Sequence, residues 1–222
     1  MIDMPDFSRA FGYENDFILS CDVTRIGKIL AHYELYKRTV DLPGSFVECG
    51  VFKGSSYTVF AMFRDLLEHS SSRHFIGFDT FARFPETDYV HDKSFRQAFV
   101  DAAGDQSISK EQMLAVLQQK RIDHNIELIE GNIIKTVPAY IEKHPELKIS
   151  LLNLDTDIYE PAVTILKNLY PRIVEGGILI LDDYGVAPGE TKAVDDYFRE
   201  KKTPIRRFPF RAGPCFIVKE GA

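Results

Sequence analysis

Residues Asn153–Gly185 read "NLDTDIYEPAVTILKNLYPRIVEGGILILDDYG". Two short apolar runs each end abruptly in a pair of acids, and a helix-period pattern lies between them. Asp155 and Asp157 close the first run; Asp182 and Asp183 close the second. Strand, helix, strand is the unit that joins two parallel neighbours, because a parallel pair needs a crossover of a dozen or more residues. Parallel neighbours carry their acids at the same edge of the sheet. Like charges gathered there repel, so the stretch calls for a compensating cation.

The alternation continues in both directions. Residues 16–40 read as one helix with an apolar face of Ile18, Val23, Ile26, Leu30, Tyr33 and Leu35. "SFVECGV" (45–51) is a short buried strand, "FKGSS" a turn, and "SYTVFAMFRDLLEHS" (56–70) a helix. "HFIGFDTF" (74–81) is the second strand. Residues 82–108 are polar, without clear period, and too long for an ordinary connection, which makes them a candidate lid. Ser109 and Gln112 form a capping-box signature for a helix over 109–120. "IELIEGN" (126–132) is the third strand, followed by a short helix near 136–143. "KISLLNLDTD" and "GGILILDDY" are the fourth and fifth strands, and a helix over 188–201 follows. The tail holds two more strands joined by a turn. The expectation is an α/β domain: a mostly parallel seven-stranded sheet, helices on both faces, and an antiparallel C-terminal strand pair.

The 222 residues fit one domain, with 1–44 as an N-terminal helical segment. A net charge of −6 argues against a general nucleic-acid or membrane-surface binder. The basic "EKKTPIRRF" reads as a solvated helix end and edge strand. Three cysteines (Cys21, Cys49, Cys215) are odd in number and far apart; two lie in the apolar runs "FVECGV" and "PCFIVK", and small buried thiols in a reducing compartment are expected. No signal-peptide pattern and no apolar run of membrane length is seen, so a cytoplasmic location is expected.

Ligands of open parallel sheets bind beyond the carboxyl ends of the strands. Glu48, Gly50, Gly54, Ser55 and Ser56 follow the first strand, Asp79 the second, and Gly131 and Asn132 the third. The glycines permit close backbone approach, and "VECGVFKGSS" is neither of the common phosphate-binding glycine patterns. Asp79 suits bidentate hydrogen bonding to a ribose diol, as an adenosine ligand without a phosphate would require. Asp155, Asp182 and Asp183 offer hard oxygen donors suited to Mg²⁺. Asp157 is a fourth ligand or, preferably, the N-cap of the following helix.

Together "FVECGVFKGSS", "FIGFDTFARFPE", "GNIIKTVP", the opening stretch and "PGETKAVDDYF" resemble the macrocin O-methyltransferase (TylF/MycF-like) family. The match runs in family order over roughly residues 45–198. It implies a Rossmann-like class I methyltransferase sandwich that uses S-adenosylmethionine and Mg²⁺ to methylate a hydroxyl of a small molecule, such as a natural-product sugar. It also implies Asp155, Asp182 and Asp183 as metal ligands, and Glu48, Gly50 and Asp79 in the cofactor site. Asn153 stands where the family often has arginine, and Thr156 makes "DTD" of the usual "DGD". Both positions are expected beside the acceptor, so its identity does not carry over. The N-terminal part is short beside the family's antibiotic-tailoring members.

On this reading Asp155, set against both metal and acceptor, is the general base, with His91 and Lys93 on the lid as runners-up and Arg83 as a holder of an acidic group. Two other readings compete. "DTD" matches the D-x-D of metal-dependent nucleotide-sugar glycosyltransferases, which would leave Asp182 and Asp183 unexplained. A non-catalytic adenosyl-ligand binder would not require the three acids. The aromatics of "FSRAFGY" suit packing against a second subunit in a homodimer.

Overall fold

The computed structural model describes residues 1–201, 203–210 and 212–221. Five parallel strands form the centre of its sheet: β1 (Ser45–Cys49), β2 (Phe75–Asp79), β3 (Ile126–Glu130), β4 (Ile149–Leu154) and β5 (Ile173–Leu181). β6 (Arg206–Arg207) and β7 (Cys215–Val218) add the antiparallel C-terminal pair expected from the tail. The order is β3-β2-β1-β4-β5-β7-β6. The chain steps outward from β1 to β3, then returns to lay β4 on the other side of β1. That reversal opens a crevice at the carboxyl ends of β1 and β4.

β4 is buried along its whole length, which is why it reads as a continuous apolar run. Successive side chains point to opposite faces. Leu152 and Leu154 pack with α6 (Ile133–Lys143), α7 (Tyr159–Asn168) and α8 (Pro188–Phe198). Leu151, with Phe46 and Phe75, packs with α2 (Val23–Lys37), α3 (Ser55–Leu67) and α5 (Lys110–Gln119). The capping box of α5 forms as read, Ser109 and Gln112 each satisfying the other's backbone amide.

Three expectations are corrected. The helix read over 16–40 is two: α1 (Ala10–Ser20) ends at Cys21, and Asp22 caps α2 by accepting from Thr24 N at 2.8 Å. The 82–108 stretch contains α4 (Asp92–Ala103). Asp157 does not cap α7, whose N-cap position is Ile158; Asp157 instead adopts a left-handed backbone, φ +60°. No described helix is long and apolar enough to cross a membrane.

Candidate active site

The sheet ladder continues past the strand ends and sets the rim. Asp155 N donates to Cys49 O at 3.0 Å, Asp182 N to Leu154 O at 3.1 Å, and Gly50 N to Phe78 O at 2.9 Å. The residues that follow β1, β4 and β5 therefore stay in register, with Asp155 beside Asp182. At Gly50, φ is +97° and a Cβ would lie 1.6 Å from Asp155 O, so only glycine fits.

One carboxylate oxygen from each of Asp155, Asp182 and Asp183 lies within 4.8 Å of the others. On an octahedron with bonds of about 2.1 Å, donors are separated by about 3–4.2 Å, so small side-chain rotations bring the three to metal-binding distance. The donor set fits a hard divalent cation such as Mg²⁺.

The chain also brings its own cation. Lys28 of α2 donates to Asp182 Oδ2 at 2.6 Å and lies 3.7 Å from Asp155 Oδ2. One turn on, His32 Nε2 is 3.6 Å from Asp182 Oδ1. Burial pushes the Asp182 carboxyl up, but Lys28 and His32 outweigh it and hold the group below the usual carboxylate range. Burial lowers the Lys28 ammonium's pKa, yet the charges of Asp155 and Asp182 win and raise it. For the remaining acids Lys28 pulls in the same direction but does not outweigh burial and the neighbouring carboxylates. Burial and Asp182 push Asp183 up to about 8; burial and Asp155 push Asp157 up to about 7; Asp155 itself is raised by burial and Asp182. Behind them Glu190 of α8, fully buried, accepts from Asp183 N at 3.1 Å, and burial and the neighbouring acids push its carboxyl well above the usual range.

The rim opens on a cleft of about 1020 Å³. Gly50, Ser55, Ser56, Asp79, Asn132, Asp155, Asp182 and Asp183 all line it. Glu48, Gly54 and Gly131 do not: Glu48 is buried beneath, accepting from Ser56 Oγ at 2.8 Å, and Gly54 packs on Met113. Asn132 spends its side chain capping α6 through Ile134 N at 2.9 Å. Asp79 Oδ1 already accepts from Phe81 N, Ser107 Oγ and Thr80 Oγ1, and Oδ2 from Phe52 N. A carboxylate has about four lone-pair sites, so Oδ2 keeps room for a single further donor rather than a bidentate diol contact. Asn153, expected beside the acceptor, is wholly buried in β4; Thr156 does line the cleft. His91, Lys93 and Arg83 are not among its walls, and Arg83 pairs with Asp105 at 3.6 Å.

Sequence reasoning missed Lys28, His32 and Glu190. Lys28 and His32 sit one turn apart on α2, and His32 is buried there with Ala31 and Leu35, whereas Ile18, Val23 and Leu30 of the face read as apolar are exposed.

A model of the macrocin-O-methyltransferase (TylF) family matches residues 25–207. The chain belongs to this family. Among curated relatives, the demethyldecarbamoylnovobiocin O-methyltransferase of Streptomyces niveus is 27% identical over 165 residues, 71% of this chain and 59% of that protein. The mycinamicin III 3''-O-methyltransferase of Micromonospora griseorubida is 28% identical over 166 residues, 70% of this chain and 61% of that one. The chain thus spans about three fifths of the length of these relatives. The crystal structure of CalS11, calicheamicin methyltransferase, shares the fold: TM-score 0.76, 24% identity, 98% of this chain and 94% of that one. The fold is therefore the class I methyltransferase sandwich. The acid trio draws two members from a second strand end, which the D-x-D reading of "DTD" leaves unexplained.

Proposed function

We propose that the chain is an S-adenosylmethionine-dependent O-methyltransferase that uses Mg²⁺ and acts on a hydroxyl of a small sugar or glycoside. One observation carries this: the oxygen-donor trio, Gly50, Asp79 and the start of α3 converge on a single cleft at the β1–β4 reversal. Ser55 and Ser56 open α3 behind left-handed Gly54, and first-turn amides without intrahelical partners suit the carboxylate of an amino-acid group. Asp79 Oδ2 suits one ribose hydroxyl. Relatives support a sugar acceptor: one is named for a rhamnosyl-tetracenomycin 4'-O-methylation, and a structure 25% identical to this chain, with TM-score 0.68, is of a TDP-rhamnose 3'-O-methyltransferase.

When bound, S-adenosylmethionine supplies a methyl group on a sulfonium, and Mg²⁺ stabilises the alkoxide of the acceptor. The protein's share is to position two small molecules, keep water out and take one proton. Positioning can supply roughly 7–11 kcal/mol. General-base help of about 10²–10⁴-fold is smaller, so positioning dominates. We assign the base to Asp155, which lines the cleft, is 20% exposed at its side chain and stands within the trio.

The test is incubation with S-adenosylmethionine, Mg²⁺ and a panel that includes TDP-rhamnose and rhamnosyl glycosides, read by mass spectrometry. The expected product has gained one methylene, alongside S-adenosylhomocysteine, and EDTA abolishes both. Turnover that survives EDTA removes the metal from this reading. The same reading places a second copy of the chain over α1, which has no buried residue and leaves Phe11 83% and Leu19 78% exposed. Light scattering should return twice the monomer mass; a monomer at working concentration rejects the dimer.

A further inference from the structure

The ammonium of Lys28 rests on two of the three carboxylates that the metal reading requires. It donates to Asp182 Oδ2 at 2.6 Å and stands 3.7 Å from Asp155 Oδ2, and both residues belong to the oxygen-donor trio. A divalent ion bound to those carboxylates would face a like charge within a few ångströms, and like charges there repel strongly. Lys28 is free to yield: its side chain is 28% exposed, it lines the cleft, and its flexible four-carbon stem can swing without moving α2. Behind the trio, fully buried Glu190 accepts from Asp183 N through Oε1 at 3.1 Å, while its Oε2 has no hydrogen-bond partner among the described residues.

We propose that Lys28 is a tethered counter-ion that holds the acid cluster until a divalent cation displaces it, the two competing for Asp155 and Asp182. This rests on the reading of the trio as a divalent-ion site. Lys28 then acts as a positioning residue: it keeps the carboxylates gathered in the metal-free protein and sets a threshold for metal loading. Once displaced, the ammonium remains on the cleft wall that it shares with Arg25.

The experiment measures Mn²⁺ binding by electron paramagnetic resonance for the wild-type chain and for Lys28→Met, without cofactor or acceptor. Thermal melts are recorded in EDTA and in Mn²⁺. The variant should bind Mn²⁺ roughly tenfold or more tightly, since a charge-assisted competitor is gone. In EDTA it should melt below the wild type, and Mn²⁺ should raise its melting temperature by more. This opposite movement of metal-free stability and metal affinity is the signature of competition; a merely structural lysine would leave Mn²⁺ affinity unchanged or lower. Should Lys28→Met fail to fold, Lys28→Gln, which keeps the polar stem without the charge, should show the same pair of effects. Equal or weaker Mn²⁺ binding by the variant overturns the inference alone. Absence of Mn²⁺ binding by both proteins overturns it together with the metal reading.

Discussion

Asp79 and Glu48 show how single carboxylates at this rim serve fold and ligand at once. Asp79 ties the loops after β1 and β2 together through Phe52 N at 2.9 Å and Phe81 N at 2.7 Å. Asp79→Ala should therefore lower stability by about 1–3 kcal/mol, from amides left unpaired, as well as weaken S-adenosylmethionine at least about tenfold. Calorimetry on the folded variant checks this, and unchanged affinity would reject the ribose contact. Glu48 is fully buried, and burial pushes its carboxyl from 4.5 up to about 8, against the opposing hydrogen bond from Ser56. Between those values the folded protein holds a proton that the unfolded chain has released, so stability falls as pH rises from about 4.5 to about 8. Glu48→Gln keeps the neutral form and should flatten this part of the profile, leaving the variant more stable at pH 8 by about 1–3 kcal/mol in denaturant melts. A parallel slope in both proteins would place the titration elsewhere. The acids of the trio were legible because charge follows apolar runs so abruptly. Lys28 was not, because a lysine on an amphipathic helix looks like any solvated residue until its partners, 127 and 154 positions away in sequence, are brought beside it.

Among the elements, α4 is the one that changes the reading most. Only Asp92 is buried in it, and its apolar residues Phe95 and Phe99 face the cleft rather than the core, so its periodic stripe is too short to stand out. Its start has no side-chain cap either. The segment is pinned at both ends. Asp92 accepts from Tyr159 N at 2.8 Å, Glu160 accepts from Tyr89 N at 2.9 Å, and Ser107 N donates to Ala82 O at 2.7 Å. The lid reading predicts that amide exchange over 93–103 slows when S-adenosylmethionine binds. Full protection before ligand is added would make α4 scaffold. α5 offers a simpler check: Ser109→Ala breaks the capping box and should cost about 0.5–2 kcal/mol in a denaturant melt. That cap, the five parallel strands and the antiparallel tail were legible from pattern alone. The break between α1 and α2 was not, because Ile18, Val23, Ile26 and Leu30 keep helical phase across it, and the only stop signal is the short polar cap Asp22.

At the scale of the whole molecule, the sheet reversal gathers residues from distant parts of the chain onto one edge. α2 brings Lys28 to one wall, the 82–108 segment brings Phe95 and Phe99 to another, and Phe210 approaches from the C-terminal side. A cleft of about 1020 Å³ is at the upper end of what one small ligand occupies, which suits a cofactor and an acceptor side by side. The compensating cation that the opening stretch called for is present as Lys28, and on the present account it gives way to a metal ion at the same carboxylates. Crystals grown with Mn²⁺ and S-adenosylhomocysteine test this most directly through the anomalous signal of manganese. The account predicts one peak on the cleft rim, within about 2.0–2.6 Å of oxygens from Asp155, Asp182 and Asp183, with Lys28 swung away from Asp182. Well-ordered S-adenosylhomocysteine with no manganese at the three aspartates, and Lys28 still bonded to Asp182, would contradict it.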